Sequence, residues 1–257
     1  MSYFIIGDVH GCLHELQEMI TLLNPSDKDT LVFAGDLVDR GPDSVGVIRY
    51  VRSLPNAILV QGNHEDKHKR YRKALLVDSN RAHNMNKHSA KQGSPLEEIT
   101  DSLSEEDVEW LDSAIPFYSV SEFNIKVVHG GVTPKMETFP ETLNDLARLS
   151  NRDKKRLHRT MYVRTVDPNG SMVKLGEESD HCDFWAKVYD GRFGHIVYGH
   201  TAYYEEDEPV RHAHATGIDL GCCYGNYLCA LVIGYNGRIS HKTIKAKRPY
   251  ASPRIVC

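Results

Sequence analysis

Five short segments carry the residues able to do chemistry. They are Gly7-Asp8-Val9-His10-Gly11, Gly35-Asp36-Leu37-Val38-Asp39-Arg40-Gly41, Gly62-Asn63-His64-Glu65, Val128-His129-Gly130-Gly131 and Tyr198-Gly199-His200-Thr201. Each sets a carboxylate, amide or imidazole beside a glycine, which permits a tight turn and close backbone approach. The donor set reads Asp, His, Asp, Asn, His, His. Nitrogen and oxygen donors without thiolate suit Mn, Fe, Zn or similar divalent ions in a reactive site, not a cysteine-bound structural zinc. Asp8 and His10 are two apart on one turn, so both can face one ion. Six donors are too many for one ion that keeps an open position, but they fit two ions about 3.5–4 Å apart that share a carboxylate. One Asp or His after a strand is commonly a cap or turn former; the five clusters in order are what mark a site. Two cations can generate hydroxide near neutral pH and neutralise phosphoryl oxygens. An arginine such as Arg40 can clamp further oxygens with its planar fork. No GxSxG elbow and no GxxxxGK[ST] loop is present, so serine-hydrolase and P-loop chemistry find no support.

The elements that must hold these segments can be read from periodicity. Tyr3 to Ile6 is a short apolar run and predicts a buried strand. Leu13, Leu16, Ile20 and Leu23 recur at helical spacing, with Pro25 just beyond. Leu31 to Ala34, Ser44 to Leu54 and Ala57 to Val60 predict strand, helix and strand. Each strand ends in a polar loop, and α/β folds place their chemistry at the carboxyl ends of strands. Residues 65 to 104 break the rhythm and read as a helical and irregular insert. Ser104 predicts the cap of a helix running to Ser113. Further strands are expected at Phe117–Val120, Ile125–Val128, Ile196–Tyr198, Thr216–Asp219, Leu228–Ile233 and Arg238–Thr243, the last ones pairing antiparallel.

Composition narrows the class. With 257 residues, 40% hydrophobic and 26% charged, the chain can bury a substantial core. Lys and Arg total 31 against 35 acids, net −4, so no global basic excess marks a dedicated nucleic-acid binder. No apolar run reaches membrane-spanning length, and Met1 to Ile6 lacks a basic leader, so a cytoplasmic protein is expected. None of the six cysteines forms a CxxC pair; Cys222, Cys223 and Cys229 read as small buried hydrophobes.

The set GDVHG, GDLVDRG, GNHE, HGG and GH resembles the phosphoprotein phosphatase branch of the calcineurin-like metallophosphoesterases, from Gly7 to about Leu231. The resemblance implies an α/β fold: a two-sheet β-sandwich flanked by helices, one metallophosphoesterase domain over residues 1–257. It implies a dinuclear site at one rim. Asp8, His10 and Asp36 would hold one ion; Asp36 as bridge, with Asn63, His129 and His200, would hold the other. His64 matches the family's catalytic histidine, oriented by Asp39. Arg40 and Asn63 match phosphate-contacting positions, and Thr160 to Arg164 resembles the segment that supplies a second phosphate-binding arginine, Arg164. Two divalent ions, Mn foremost, with Fe, Zn, Co or Ni as others, would serve direct attack by a bridging hydroxide.

Two branches compete. Asp39, Glu65 and Gly130 match the phosphatase motifs and lead to the expectation of a serine/threonine (or tyrosine) protein phosphatase. Ile218-Asp219-Leu220-Gly221-Cys222-Cys223-Tyr224-Gly225 resembles the IDTGCCWGG pattern of bacterial symmetrical dinucleoside-tetraphosphate hydrolases, with Leu220 for Thr and Asn226 for Gly. A tetraphosphatase-like group acting on polyphosphate or RNA ends also matches. The expected partner is a phosphorylated protein or a nucleotide, with no membrane. Lys67, Lys69, Arg70, Arg72, Lys73, Arg81, Lys87 and Lys91 follow directly on a ligand loop, so the 67–91 segment could contact a polyanion at the mouth of the site; the plain alternative is a solvated helix face. A dead metal-binding scaffold would have lost a ligand, and every ligand position is filled. An RNA-end-binding protein without turnover is the third class.

Overall fold

The computed structural model describes residues 1–253. The chain opens β1 (Tyr3–Ile6), α1 (Leu13–Leu23), β2 (Thr30–Phe33), α2 (Ser44–Ser53), β3 (Ala57–Leu59). Three helices follow, α3 (Asn63–Val77), α4 (Ser79–Ala90) and α5 (Leu96–Ser102), then α6 (Glu105–Asp112). Next come β4 (Tyr118–Val120), β5 (Ile125–Val128), α7 (Asn151–Arg159), three short strands β6 (Thr165–Val166), β7 (Met172–Val173) and β8 (Asp183–Phe184), and α8 (Trp185–Val188). The chain closes through β9 (His195–Tyr198), β10 (Val210–Arg211), β11 (Ala215–Gly217), β12 (Tyr227–Ile233) and β13 (Ile239–Lys245).

Two five-stranded sheets form, ordered β13-β12-β1-β2-β3 and β10-β11-β9-β5-β4. In the first, β1, β2 and β3 run parallel and β12 pairs antiparallel with β1. In the second, β5, β9 and β11 run parallel. Strand alternation decides what each residue faces. Tyr3 and Ile5 pack with Val32, Val127 and Val197 between the sheets, while Phe4 and Ile6 pack with Leu16, Met19, Val47 and Ile48 beneath α1 and α2. The outer face of the second sheet is covered by Trp185, Leu157 and Phe139. The expected two-sheet sandwich flanked by helices is therefore the observed fold.

Several elements differ from expectation in ways that matter for the site. The insert, expected to be part helical and part irregular, is helical over most of its length as α3, α4 and α5. Asn63 and His64 are not in a loop but on the first turn of α3, because Gly62 caps the helix in extended backbone. β11 pairs parallel with β9, against the expected antiparallel order, while β10 with β11 and β12 with β13 do pair antiparallel. Among the described residues, no helix is long and apolar enough to cross a membrane.

Candidate metal centre and phosphate site

All five loops meet at the carboxyl ends of the two parallel triplets. Gly7 follows β1, Gly35 follows β2, His129 follows β5 and Gly199 follows β9. The backbone there is unusual. His10, Asp36, Asp39, Arg40 and His200 all have φ between +46° and +74°, and they are five of the eight such non-glycine residues among those described. A left-handed residue other than glycine costs of order 1–3 kcal/mol and persists only where its surroundings enforce it. Gly62 and Gly199 are required differently: a Cβ on either would strike the carboxylate of Asp36 or Asp8.

The donors converge. Asp36 Oδ2 lies 3.2 Å from His129 Nε2, 3.6 Å from His10 Nε2 and 3.8 Å from His64 Nε2. Its Oδ1 accepts the His64 backbone N–H at 3.0 Å. Two buried groups therefore share Asp36, namely His10–Asp36–His64 and Asp36–His129–His200. Asn63 Oδ1 lies 3.0 Å from His129 Nε2. Asp8 is buried beside them, its oxygens accepting the His200 N–H at 3.1 Å and standing 3.9 Å from His10 Nε2. Every residue expected at the metals is thus in one cluster, with Asp36 at its centre.

Several features of this cluster fit divalent cations. His10 and His129 each hold a backbone carbonyl through Nδ1 at 2.8 Å, Val38 and Ala34 respectively. That leaves Nε2 of each aimed inward, the tautomer a ligating histidine needs. His200 Nε2 is buried with no hydrogen-bond partner. Burial, with the charges of Asp219 and Asp36, pushes the Asp8 carboxyl well above its ordinary range. Burial likewise opposes charge on Asp36, but His129, His64 and His10 outweigh it and hold that carboxylate well below its range. Crowded buried carboxylates and inward imidazoles are stable together when cations sit among them. When bound, such ions supply Lewis acidity and charge neutralisation at a phosphoryl group.

Around the cluster stand the groups that would meet substrate. His64 is buried; its Nδ1 is bonded to Asp39 Oδ2, and Asp39 Oδ1 takes His68 Nε2 at 2.9 Å. Lys67 Nζ is 2.7 Å from Asp39 Oδ2. His64, Lys67 and His68 lie three and four apart on α3 and so share one face. Burial pulls the His64 imidazole down despite Asp36 and Asp39. Arg40 reaches His10 Nε2 at 2.6 Å and His64 Nε2 at 3.2 Å. Its backbone N–H donates to Gly93 O at 2.7 Å, so the insert braces this loop. Arg164, from the opposite side, donates to His200 O at 2.9 Å. A cavity of about 340 Å³ opens above, lined by Arg40, Asn63, His64, Lys67, Arg164 and His200 among others.

Some participants were not anticipated. His68 braces Asp39, and the i, i+4 spacing from His64 was the available signal. Asp219 joins the carboxylate group through its buried position. Glu65 does not face the cavity; its carboxylate accepts the N–H groups of Asp36, Leu37 and Gly62, each at 2.9 Å. Of the basic segment, Lys67 lines the cavity. Lys69 donates to Asp112 O, and Arg70 and Arg72 pair with Asp66 and Asp112. Cys222, Cys223 and Cys229 are buried, and burial pushes the Cys229 thiol up to about 12, in keeping with small core residues.

The calcineurin-like phosphoesterase family model matches residues 1–204, and the chain belongs to that family. It is 30% identical to the asymmetrical bis(5'-nucleosyl)-tetraphosphatase PrpE of Oceanobacillus iheyensis, covering 90% of this chain and 88% of that one. It is 28% identical to the symmetrical bis(5'-nucleosyl)-tetraphosphatase of a Marinomonas species, covering 97% and 100%. A crystal structure described as a proposed diadenosine tetraphosphatase superposes with a TM-score of 0.68 at 24% identity, covering 95% of this chain and 93% of that one, and so shares the fold. The chain is therefore a metallophosphoesterase, a hydrolase of phosphate ester or anhydride bonds.

Proposed function

We propose that this enzyme hydrolyses a phosphoanhydride of dinucleoside polyphosphates, with two divalent ions, Mn foremost, held by Asp8, His10, Asp36, Asn63, His129 and His200. The observation that carries the reading is the cation arrangement. Arg40, Arg164 and Lys67, from three separate elements, line one cavity beside the donor cluster. Such an array matches a chain of several phosphates better than a single phosphoryl group on a protein side chain. The names of the similar proteins point the same way.

The expectation of a protein phosphatase rested on Asp39, Glu65 and Gly130. Two of these have structural employment that is indifferent to substrate. Glu65 ties three backbone N–H groups of the ligand loops. Gly130 is needed because a Cβ would lie 2.6 Å from Thr160 O. Neither feature therefore favours a protein substrate over a dinucleotide.

In this reading Arg40 and Arg164 hold phosphoryl oxygens on two sides. Water adds to phosphorus and gives up a proton, the P–O–P bridge opens, and His64 in its protonated form passes a proton to the departing oxygen, so that the proton water loses restores the one His64 gives. Asp39, braced by His68 and Lys67, fixes the ring for that transfer. The test compares kcat/KM for diadenosine tetraphosphate and a phosphoserine peptide with Mn present. The expected ratio exceeds tenfold in favour of the dinucleotide; a ratio reversed to favour the peptide sinks the proposal.

A further inference from the structure

The cavity above the donor cluster has two unlike walls. One is cationic: Arg40, Arg164 and Lys67. The other is aromatic and apolar: Tyr204, Tyr224, Leu175 and Pro253. Tyr224 is half-buried against the core, but Tyr204 is 47% exposed and Leu175 51%, so the outer part of this wall stands open to solvent. A site for phosphate alone has no use for it.

The two tyrosines are placed by backbone, not by chance rotamers. Their rings meet edge to face, centroids 6.4 Å apart at 78°. Gly221, at φ +73°, lies under both: a Cβ there would be 2.9 Å from Tyr204 Cβ and 3.3 Å from Tyr224 Cδ2. Asn226 ties the two loops, its Nδ2 donating to Glu206 O at 2.6 Å and Leu220 O at 2.9 Å. Tyr203 N–H donates to Asp219 O at 2.9 Å, anchoring the residue before Tyr204. The Arg40 guanidinium sits 5.5 Å from the Tyr224 ring centroid. Tyr224 is thus joined to a phosphate-side cation, and Tyr204 extends the aromatic surface outward from it.

We propose that Tyr204 and Tyr224 form a platform for a nucleobase, holding the base of the nucleoside whose phosphates meet Arg40, Arg164 and Lys67. Bases stack on aromatic rings whatever their sequence identity, because every base has a π-face. The proposal rests on the polyphosphate reading above. It adds that the enzyme recognises the nucleoside and not only the phosphate chain.

The test uses binding rather than turnover. The probes are the β,γ-methylene analogue of ATP and its base-free counterpart, bis-methylene triphosphate, titrated calorimetrically into the Mn-loaded protein. Wild type should bind the nucleotide roughly 5- to 100-fold tighter than the base-free chain, the range a single stacked base supplies. Tyr204→Ala should abolish that difference while leaving the base-free Kd within about twofold, and Tyr204→Phe should keep it. Tyr204 is exposed, so its truncation leaves the core intact. Equal binding of the two probes by wild type, no binding of either, or equal weakening of both in Tyr204→Ala would each overturn the platform. A nucleotide preference in a protein that leaves diadenosine tetraphosphate intact would instead overturn the proposed function and keep the platform.

Discussion

Replacing Glu65 by glutamine tests how the ligand loops are held together. Glu65 is buried, and its two oxygens accept three backbone N–H groups: Asp36 and Gly62 on Oε2, Leu37 on Oε1. It therefore joins the loop after β2 to the turn that starts α3. Burial, with the nearby Asp36 charge, pushes its carboxyl up, while the N–H groups of Asp36 and Leu37 favour the ionised form, in which both oxygens accept. Glutamine keeps one acceptor oxygen. Placed at Oε2 it retains two bonds but presents an amide NH₂ to the Leu37 N–H. One buried donor is then left unpaired, at about 1–3 kcal/mol. The two remaining bonds change from charged to neutral acceptors and lose roughly half their strength. Relief of repulsion with Asp36 offsets part of this, leaving a net loss of about 2–4 kcal/mol. For a chain of this size each kcal/mol lowers Tm by roughly 2–4 °C, so scanning calorimetry at pH 8 should show a fall of about 4–16 °C. Bound Mn, read by elemental analysis, should fall with it, because the loops carrying Asp36 and Asn63 lose their common anchor. A Tm within 2 °C of wild type with full metal content would refute the clamp.

Three further outcomes follow from the same geometry. Asp36→Asn removes the carboxylate shared by both donor groups and should lose bound metal and activity together; two metals retained with full activity would disprove its central place. His64→Ala should lower kcat by roughly 10²–10⁴ on an alkyl phosphate, with metal content near normal, if His64 supplies the leaving-group proton; a smaller loss is expected on p-nitrophenyl phosphate, whose leaving group needs no proton. Asp66 opposes its burial through His158, Tyr162 and Arg70, which together hold its carboxyl below the ordinary range. Its stabilisation is therefore present above the unfolded value near 4 and is lost as pH falls below it. Urea unfolding of Asp66→Asn should show a loss of about 1–2 kcal/mol at pH 7 that shrinks at pH 3; a constant difference would remove the ion-pair explanation.

Much of this was legible in the sequence for definite reasons. β1, β2 and β5 are short, mainly apolar runs (β5 broken by Lys126, β2 opened by Thr30) that lead within three residues to a chemical residue, so Asp8, Asp36 and His129 announce their own positions. What brings His129 to His200 is the parallel pairing of β5 with β9, a contact across some 70 residues that local pattern does not encode. Only Leu157 is buried on α7, so its stripe is too thin to predict a helix, and β6, β7 and β8 are two residues each. Arg164 was reachable only through resemblance, because it comes from this irregular stretch. His68 was readable from its helical spacing to His64, but the segment read as an insert, and that hid it. Tyr204 and Tyr224 lie 20 residues apart, and the turn at Gly221 with the hydrogen bonds of Asn226, rather than any local pattern, unites them.

The most direct measurement strips the protein of metal, returns Mn in steps from zero to three equivalents, and follows nucleotide products from diadenosine tetraphosphate by anion-exchange chromatography. No cleavage is expected without metal, and activity should rise and level at two equivalents per chain. Full cleavage by stripped protein, or none at any metal level, would contradict this.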